Sequence, residues 1–151
     1  MTTDTDEIVG QIAEEIRRFH SVLHDFYRGT VDRRTLETSM GVHLSEDFSW
    51  VSPDGEEFTK PELLERWDEN YGSNPDLCLW VEDFQLITRD NSLVVLKFIK
   101  KRSGKPNIEF EPERRATAIF SLEPELRWVQ LFETYMTTPL PYTDFSESCN
   151  K

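Results

Sequence analysis

Apolar residues in the first part of the chain recur at helical spacing. Ile8, Ile12, Ile16, Phe19, Leu23 and Phe26 follow one another at intervals of three and four, which predicts an amphipathic helix over about Thr5–Arg28. Asp4, Asp6 and Glu7 crowd its start, where the helix dipole favours negative charge, and Gly29 is a stop signal. A short second helix is predicted around Arg34–Met40, with Leu36 and Met40 inward. The run DFSWVS (Asp47–Ser52), followed by Pro53-Asp54-Gly55, predicts a short strand and a tight turn. Thr59-Lys60-Pro61-Glu62 then combines a threonine N-cap, an early proline and a glutamate three residues on, a capping-box pattern. The helix it opens carries Leu63, Leu64, Trp67 and Tyr71 and ends at Gly72, before Asn74-Pro75.

The second half reads as strand after strand. Leu77–Thr88 turns at Arg89–Ser92 into Leu93–Lys101, and Ser103–Pro106 turns the chain back into a long strand through Ala116–Leu122. Pro112 suggests an irregularity near the start of that strand. Glu123-Pro124-Glu125 leads into the last strand, Leu126–Met136. Three short connections in a row predict an antiparallel meander. The segment 137–151 has no periodicity and reads as an irregular tail after a single domain over 1–136. Helices followed by strands predict an α+β domain, its antiparallel sheet curved around the long first helix with a cone-shaped pocket between them. Leu93–Ile99 and Leu126–Met136 are largely apolar on both sides, and the helices can cover only one. The outer sheet face is therefore expected to be buried in a homodimer.

With 29 acidic against 17 basic residues the formal charge is −12, which counts against nucleic acid and anionic membrane surfaces as partners. At 151 residues the chain is long enough for one core, and 37% hydrophobic residues argue against global disorder. Two cysteines, Cys78 and Cys149, are too few for a disulfide framework, and Cys78 reads as an inert core thiol. No basic stretch followed by an apolar run opens the chain, and no apolar run approaches the roughly 18 residues of a membrane span, so a cytoplasmic protein is expected.

LSEDFSWVSPDGEEFTKPELLERW (Leu44–Trp67), RRATAIFSL (Arg114–Leu122) and RWVQLFETYM (Arg127–Met136) resemble the first strand, turn and capped helix, and then the final hairpin, of the nuclear transport factor 2-like superfamily. The resemblance is to its ketosteroid-isomerase-like and SnoaL-like branch and covers about Glu7 to Met136. It implies a cystatin-like cone and frequent dimerisation. It does not imply one activity, because the superfamily spans isomerases, dehydratases, cyclases and association modules. Steroid isomerases of this type carry an aspartate before a proline at the end of the first strand; here the matching residue is Ser52, which cannot act as a base near neutral pH. Their first-helix tyrosine is matched by Phe19, and the strand histidine of related domains by Phe132 in Phe132-Glu133-Thr134. Isomerisation of 3-oxo steroids is therefore not expected.

Among the residues themselves, His20 and His24 are one turn apart on the first helix, but Asp25 is expected to point about 100° away, so they read as half-exposed flanks of the apolar stripe rather than metal ligands. His43 stands apart from both. No phosphate loop, GxSxG or CxxC pattern is present, and neither metal nor organic cofactor is expected. Lys97 interrupts an apolar strand; a simple register through the Arg89–Ser92 turn sets it opposite Phe84, and it either reaches solvent or meets a carboxylate or ligand. Glu133 poses the same question, with Arg114 and Arg115 as partners, in a cross-strand ion pair or an acid–base role. Trp50, Trp67, Tyr71, Trp80, Phe84, Trp128 and Phe132 converge on the concave face, most as core, with Trp50, Trp67 and Tyr71 at a pocket mouth. The leading expectation is a small-molecule-binding domain with a hydrophobic pocket, whose ligand contacts come from Trp50, Trp67, Tyr71, Lys97, Arg115, Phe132 and Glu133. A cofactor-independent enzyme acting on a small hydrophobic or polyketide-like molecule through Glu133, Lys97 or Arg115 is the second, and a homo-oligomeric association module is the third.

Overall fold

The apolar stripe of the first helix is what the sheet folds around. In the computed structural model, which describes residues 2–104 and 113–136, helix α1 spans Thr2–Arg28. Pro112 and the 137–151 tail lie outside the described residues. Ile12, Ile16, Phe19, Leu23 and Phe26 are all buried, and they meet Val94, Leu96, Phe98, Ala116, Ala118, Phe120 and Trp128 from the sheet. Aromatic rings fill the centre: Trp128 lies 4.7 Å from Phe19 and 4.5 Å from Phe120, and Phe19 lies 5.7 Å from Trp67. The indole N–H of Trp128 donates to Glu15 at 3.0 Å, so the deepest large side chain keeps its polar atom satisfied.

After α1 the chain makes a π-helical turn (Leu36–Met40) and a short 3₁₀ turn (Gly41–His43), where the sequence suggests one short helix. Then follow β1 (Leu44–Val51), β2 (Glu57–Thr59), α2 (Lys60–Glu69), β3 (Cys78–Arg89), β4 (Leu93–Ser103), β5 (Arg114–Ser121) and β6 (Arg127–Tyr135). The strand Glu57–Thr59 is not foreseen by the sequence pattern. It forms because the Pro53–Gly55 turn returns the chain, with Ser52 N–H donating to Glu56 at 2.8 Å and Gly55 at φ +86°. The sheet order is β2-β1-β6-β5-β4-β3. β1 runs parallel to β6, so the sheet is mixed rather than wholly antiparallel; the β3–β6 meander itself is antiparallel.

Two irregularities re-aim side chains. Lys97 pairs with Gln85, not Phe84, because the turn is tighter than Arg89–Ser92: Arg89 already pairs with Val94, which would set Lys97 opposite Leu86, and Ile87, an extra residue in β3, moves it back by one to Gln85. Val129 is the extra residue in β6 between the Ile119–Gln130 and Phe120–Trp128 pairs. Unbroken alternation would put Trp128 with Phe132; the bulge instead puts Trp128 on the inner face with Leu131 and Glu133. Cys78 is buried and disulfide-bonded, not the thiol expected. Among the described residues no helix is long and apolar enough to cross a membrane.

Candidate functional site

The inner faces of β4, β5 and β6 are apolar towards one end of the sheet and polar towards the other. The inward residues of β4 are Val94, Leu96, Phe98 and then Lys100; those of β5 run back from Phe120 through Ala118 and Ala116 to Arg114; those of β6 are Trp128, Leu131 and then Glu133. Where these strands turn polar, a cavity of about 530 Å³ opens between the sheet, α1 and α2. Its lining combines an aromatic group, Phe19, Trp50, Phe58 and Trp67, with a charged group, Lys100, Arg102, Arg114 and Glu133. Tyr27 of α1 reaches into it, and Ser52, Asp54, Glu56 and Asp76 stand at its edge.

The polar wall is organised by one carboxylate. Lys100 and Arg114 are direct cross-strand neighbours on β4 and β5, an arrangement of like charges that is unfavourable by itself. Glu133, at 2% exposure, lies between them. Its Oε2 is 2.7 Å from the Lys100 ammonium and its Oε1 is 3.5 Å from Arg114, while Oε1 also accepts the indole N–H of Trp50 at 2.5 Å. Two cations thus share one carboxylate, and Nε of Arg114, although buried, has no hydrogen-bond partner among the described residues.

Burial by itself would raise the Glu133 carboxyl, but Lys100 and Arg114 outweigh it and hold the group below the usual carboxylate range, so it is ionised. Burial pushes the Lys100 ammonium below the ordinary lysine value; Glu133 opposes this, and Arg114 and Arg102 add to it. Burial pushes the Tyr27 phenol up, although Arg102, Arg66 and Arg114 pull the other way, so it remains a proton donor at neutral pH.

The residues singled out in the sequence divide between the two faces. Trp50, Trp67 and Glu133 line the cavity. Lys97, Arg115 and Phe132 are next in chain to the inward Phe98, Arg114 and Glu133, so strand alternation sends them to the outer face, away from the cavity. Tyr71 lies beyond the end of α2 and does not line the cavity; its hydroxyl donates to the Val31 carbonyl at 2.8 Å, and its ring packs on Phe26. His20 is 1% exposed, not half-exposed; its Nδ1–H donates to the Ile16 carbonyl at 2.8 Å and the ring sits among Phe19, Phe98 and Trp128. Asp25 does not point away from His24: its carboxylate lies 3.0 Å from Nδ1 of that histidine.

Lys100, Arg102, Tyr27 and Phe58 are among the cavity groups that sequence reasoning missed. Lys100 was within reach, because it is two residues from the buried Phe98 and hence on the same face. Tyr27 was not, because its place on the flank of the helical stripe says nothing of the cations facing it.

No protein-family model matches the chain, and neither does any curated protein. Solved structures do. An NTF2-like protein of unknown function from Pseudomonas aeruginosa superposes with a TM-score of 0.74 at 24% identity, covering 83% of this chain and 98% of that one. The chain has the NTF2-like fold. A domain with a cystatin-like fold from Nostoc punctiforme matches at a TM-score of 0.62 and 13% identity, over 83% of this chain and 78% of its own. A candidate dehydratase of the NTF2-like family from Streptomyces avermitilis matches at 0.66 and 15% identity, over 89% of this chain and 99% of that one. At these identities the likeness is one of fold, and the chemistry of this chain has to be argued from its own cavity.

Proposed function

We infer that this NTF2-like domain binds a small organic anion with an apolar, flat body. The observation that carries the reading is Arg114: a largely buried guanidinium lining the cavity whose carboxylate partner among the described residues, Glu133, is 3.5 Å away and already engaged by Lys100 and Trp50. A ligand carboxylate in the cavity would give the guanidinium, which shares its carboxylate with Lys100, a charge-assisted partner of its own. Phe19, Trp50, Phe58 and Trp67 supply an apolar surface for the ligand body, and the cavity volume falls within the range of small-molecule sites. The pocket is thus amphiphilic, where the sequence suggested a hydrophobic one.

Calorimetry with an aromatic carboxylate and its neutral amide, benzoate against benzamide, tests the reading. Benzoate is expected to bind at least about tenfold more tightly, since a hydrogen bond to a charged group is worth about 1.5–3 kcal/mol and about 1.4 kcal/mol is tenfold. Arg114→Met should abolish that preference while leaving the amide's affinity unchanged. Equal binding of the two ligands by the unmodified protein would overturn the assignment.

A further inference from the structure

We propose that Lys100 captures the carbonyl group of a small oxo acid as a covalent imine. The proposal rests on the anion-binding reading above and narrows the ligand to acids with a carbonyl next to the carboxylate. Lys100 is 7% exposed and lines the cavity, so it is held away from bulk water on a surface that a ligand would meet. The neighbouring guanidiniums of Arg114 and Arg102 both disfavour a positive charge on it, one of the recognised ways of making a lysine nucleophilic. Glu133, 2.7 Å away, is placed to take the ammonium proton and to return it.

Register does the positioning. Arg114 and Lys100 face each other across β5 and β4, which sets their Cβ atoms about 4.5–5.5 Å apart. A carboxylate held by Arg114 therefore brings the adjacent carbonyl carbon towards Lys100, and the Tyr27 phenol, protonated through its burial, supplies a donor from the α1 side.

The chemistry balances without a further reagent. The Lys100 ammonium passes a proton to Glu133, and the amine nitrogen then forms a bond to the carbonyl carbon. The carbonyl oxygen takes up the proton and becomes the hydroxyl of a carbinolamine. The nitrogen gives up its second proton to Glu133, which passes it to that hydroxyl, and the hydroxyl leaves as water while the freed nitrogen lone pair closes the C=N bond. The net change is one ammonium and one carbonyl to one iminium and one water, with charge conserved.

Incubating the purified protein with benzoylformate and cyanoborohydride traps the imine as a stable secondary amine. The expected result is one adduct per chain, heavier by the oxo acid less one oxygen atom, mapped by peptide mass spectrometry to Lys100 and suppressed by excess mandelate, which has the carboxylate but no carbonyl. Lys100→Arg keeps the charge beside Glu133; it should still bind mandelate by calorimetry and give no adduct at this position. Adducts scattered over outer-face lysines such as Lys97, with Lys100 unmodified, would overturn the proposal. If mandelate binds and Lys100 stays unmodified, the imine alone fails; if mandelate does not bind at all, the anion-binding reading falls with it.

Discussion

Glu133 and His20 govern how this protein should respond to acid. Glu133 is buried between Lys100 and Arg114 and is held below the usual carboxylate range, so it stabilises the fold above its unfolded value of about 4.3 and loses that contribution as pH falls through its folded value. Replacing it with glutamine leaves Lys100 and Arg114 without their counter-ion, and Glu133→Gln should cost about 3–5 kcal/mol at neutral pH. Chemical denaturation across pH checks both points: the unmodified protein and the variant should draw together at low pH, and parallel curves would contradict the assignment. His20 acts in a different window. Burial, and next Lys100, lower it from 6.5 to about 3, so the unfolded chain takes up a proton between those values that the folded protein does not. Stability is therefore lost as pH falls from 6.5 towards 3, with a slope of up to about 1.4 kcal/mol per pH unit from this residue. His20→Phe, which suits its aromatic surroundings, should flatten that part of the curve, and an unchanged slope there would refute the account. At this scale the sequence identifies Glu133 and offers Arg114 as its partner. It misjudges His20 because a histidine on the flank of a helical stripe does not show which neighbouring rings will close over it.

Capping chemistry is where the elements follow most directly from the sequence. The Thr59-Lys60-Pro61-Glu62 pattern does form a capping box, with Thr59 N–H donating to Glu62 Oε1 at 2.9 Å and Glu62 N–H to Thr59 Oγ1 at 3.4 Å. Thr59→Ala should therefore lower stability by about 1 kcal/mol in denaturant titration, with Thr59→Ser restoring most of it. Gly29, expected as the stop of α1, has φ +76°, and a Cβ there would lie 3.1 Å from the Gly72 backbone. Helices and turns announce themselves in this way because their determinants are local. Bulges do not: nothing in the text of β3 or β6 marks Ile87 or Val129 as an extra residue, since the bulge is set by pairing with β4 and β5. Faces derived by straight alternation consequently slip beyond such points, as they do for Trp128, whereas the partner of Lys97 differs because the turn before β4 is two residues tighter than the sequence suggests.

At the scale of the whole molecule, the sheet has an inner face built around α1 and an outer face that no described element covers. Outward residues include Leu93 at 42% and Phe132 at 38% exposure, with Val95, Ile99 and Ile119 beside them, interleaved with Lys97, Arg115, Thr117 and Gln130. That face is apolar and polar by turns: Lys97, Arg115, Thr117 and Gln130 point outward, while the other three charged residues of these strands, Lys100, Arg114 and Glu133, point inward and build the cavity. The expectation of a homodimer through it is met if light scattering coupled to size exclusion gives twice 17.8 kDa and Phe132→Asp converts the species to a monomer. A 17.8 kDa species that persists on concentration contradicts it.

The fold was readable from the order of patterned segments, whereas the polarity of the cavity depended on which member of each adjacent pair faced inward. The central claim, an anion held at Arg114 over an aromatic wall, is tested most directly by nuclear magnetic resonance. Trp50 and Trp67 line the cavity while Trp80 and Trp128 do not, so the four indole N–H signals include their own controls. Titration with benzoate should shift the Trp50 indole and the Arg114 Nε–H signals together and saturably, leaving Trp80 in place. Shifts confined to Trp80, or no shift at Trp50 and Arg114 at saturating benzoate, would contradict the claim.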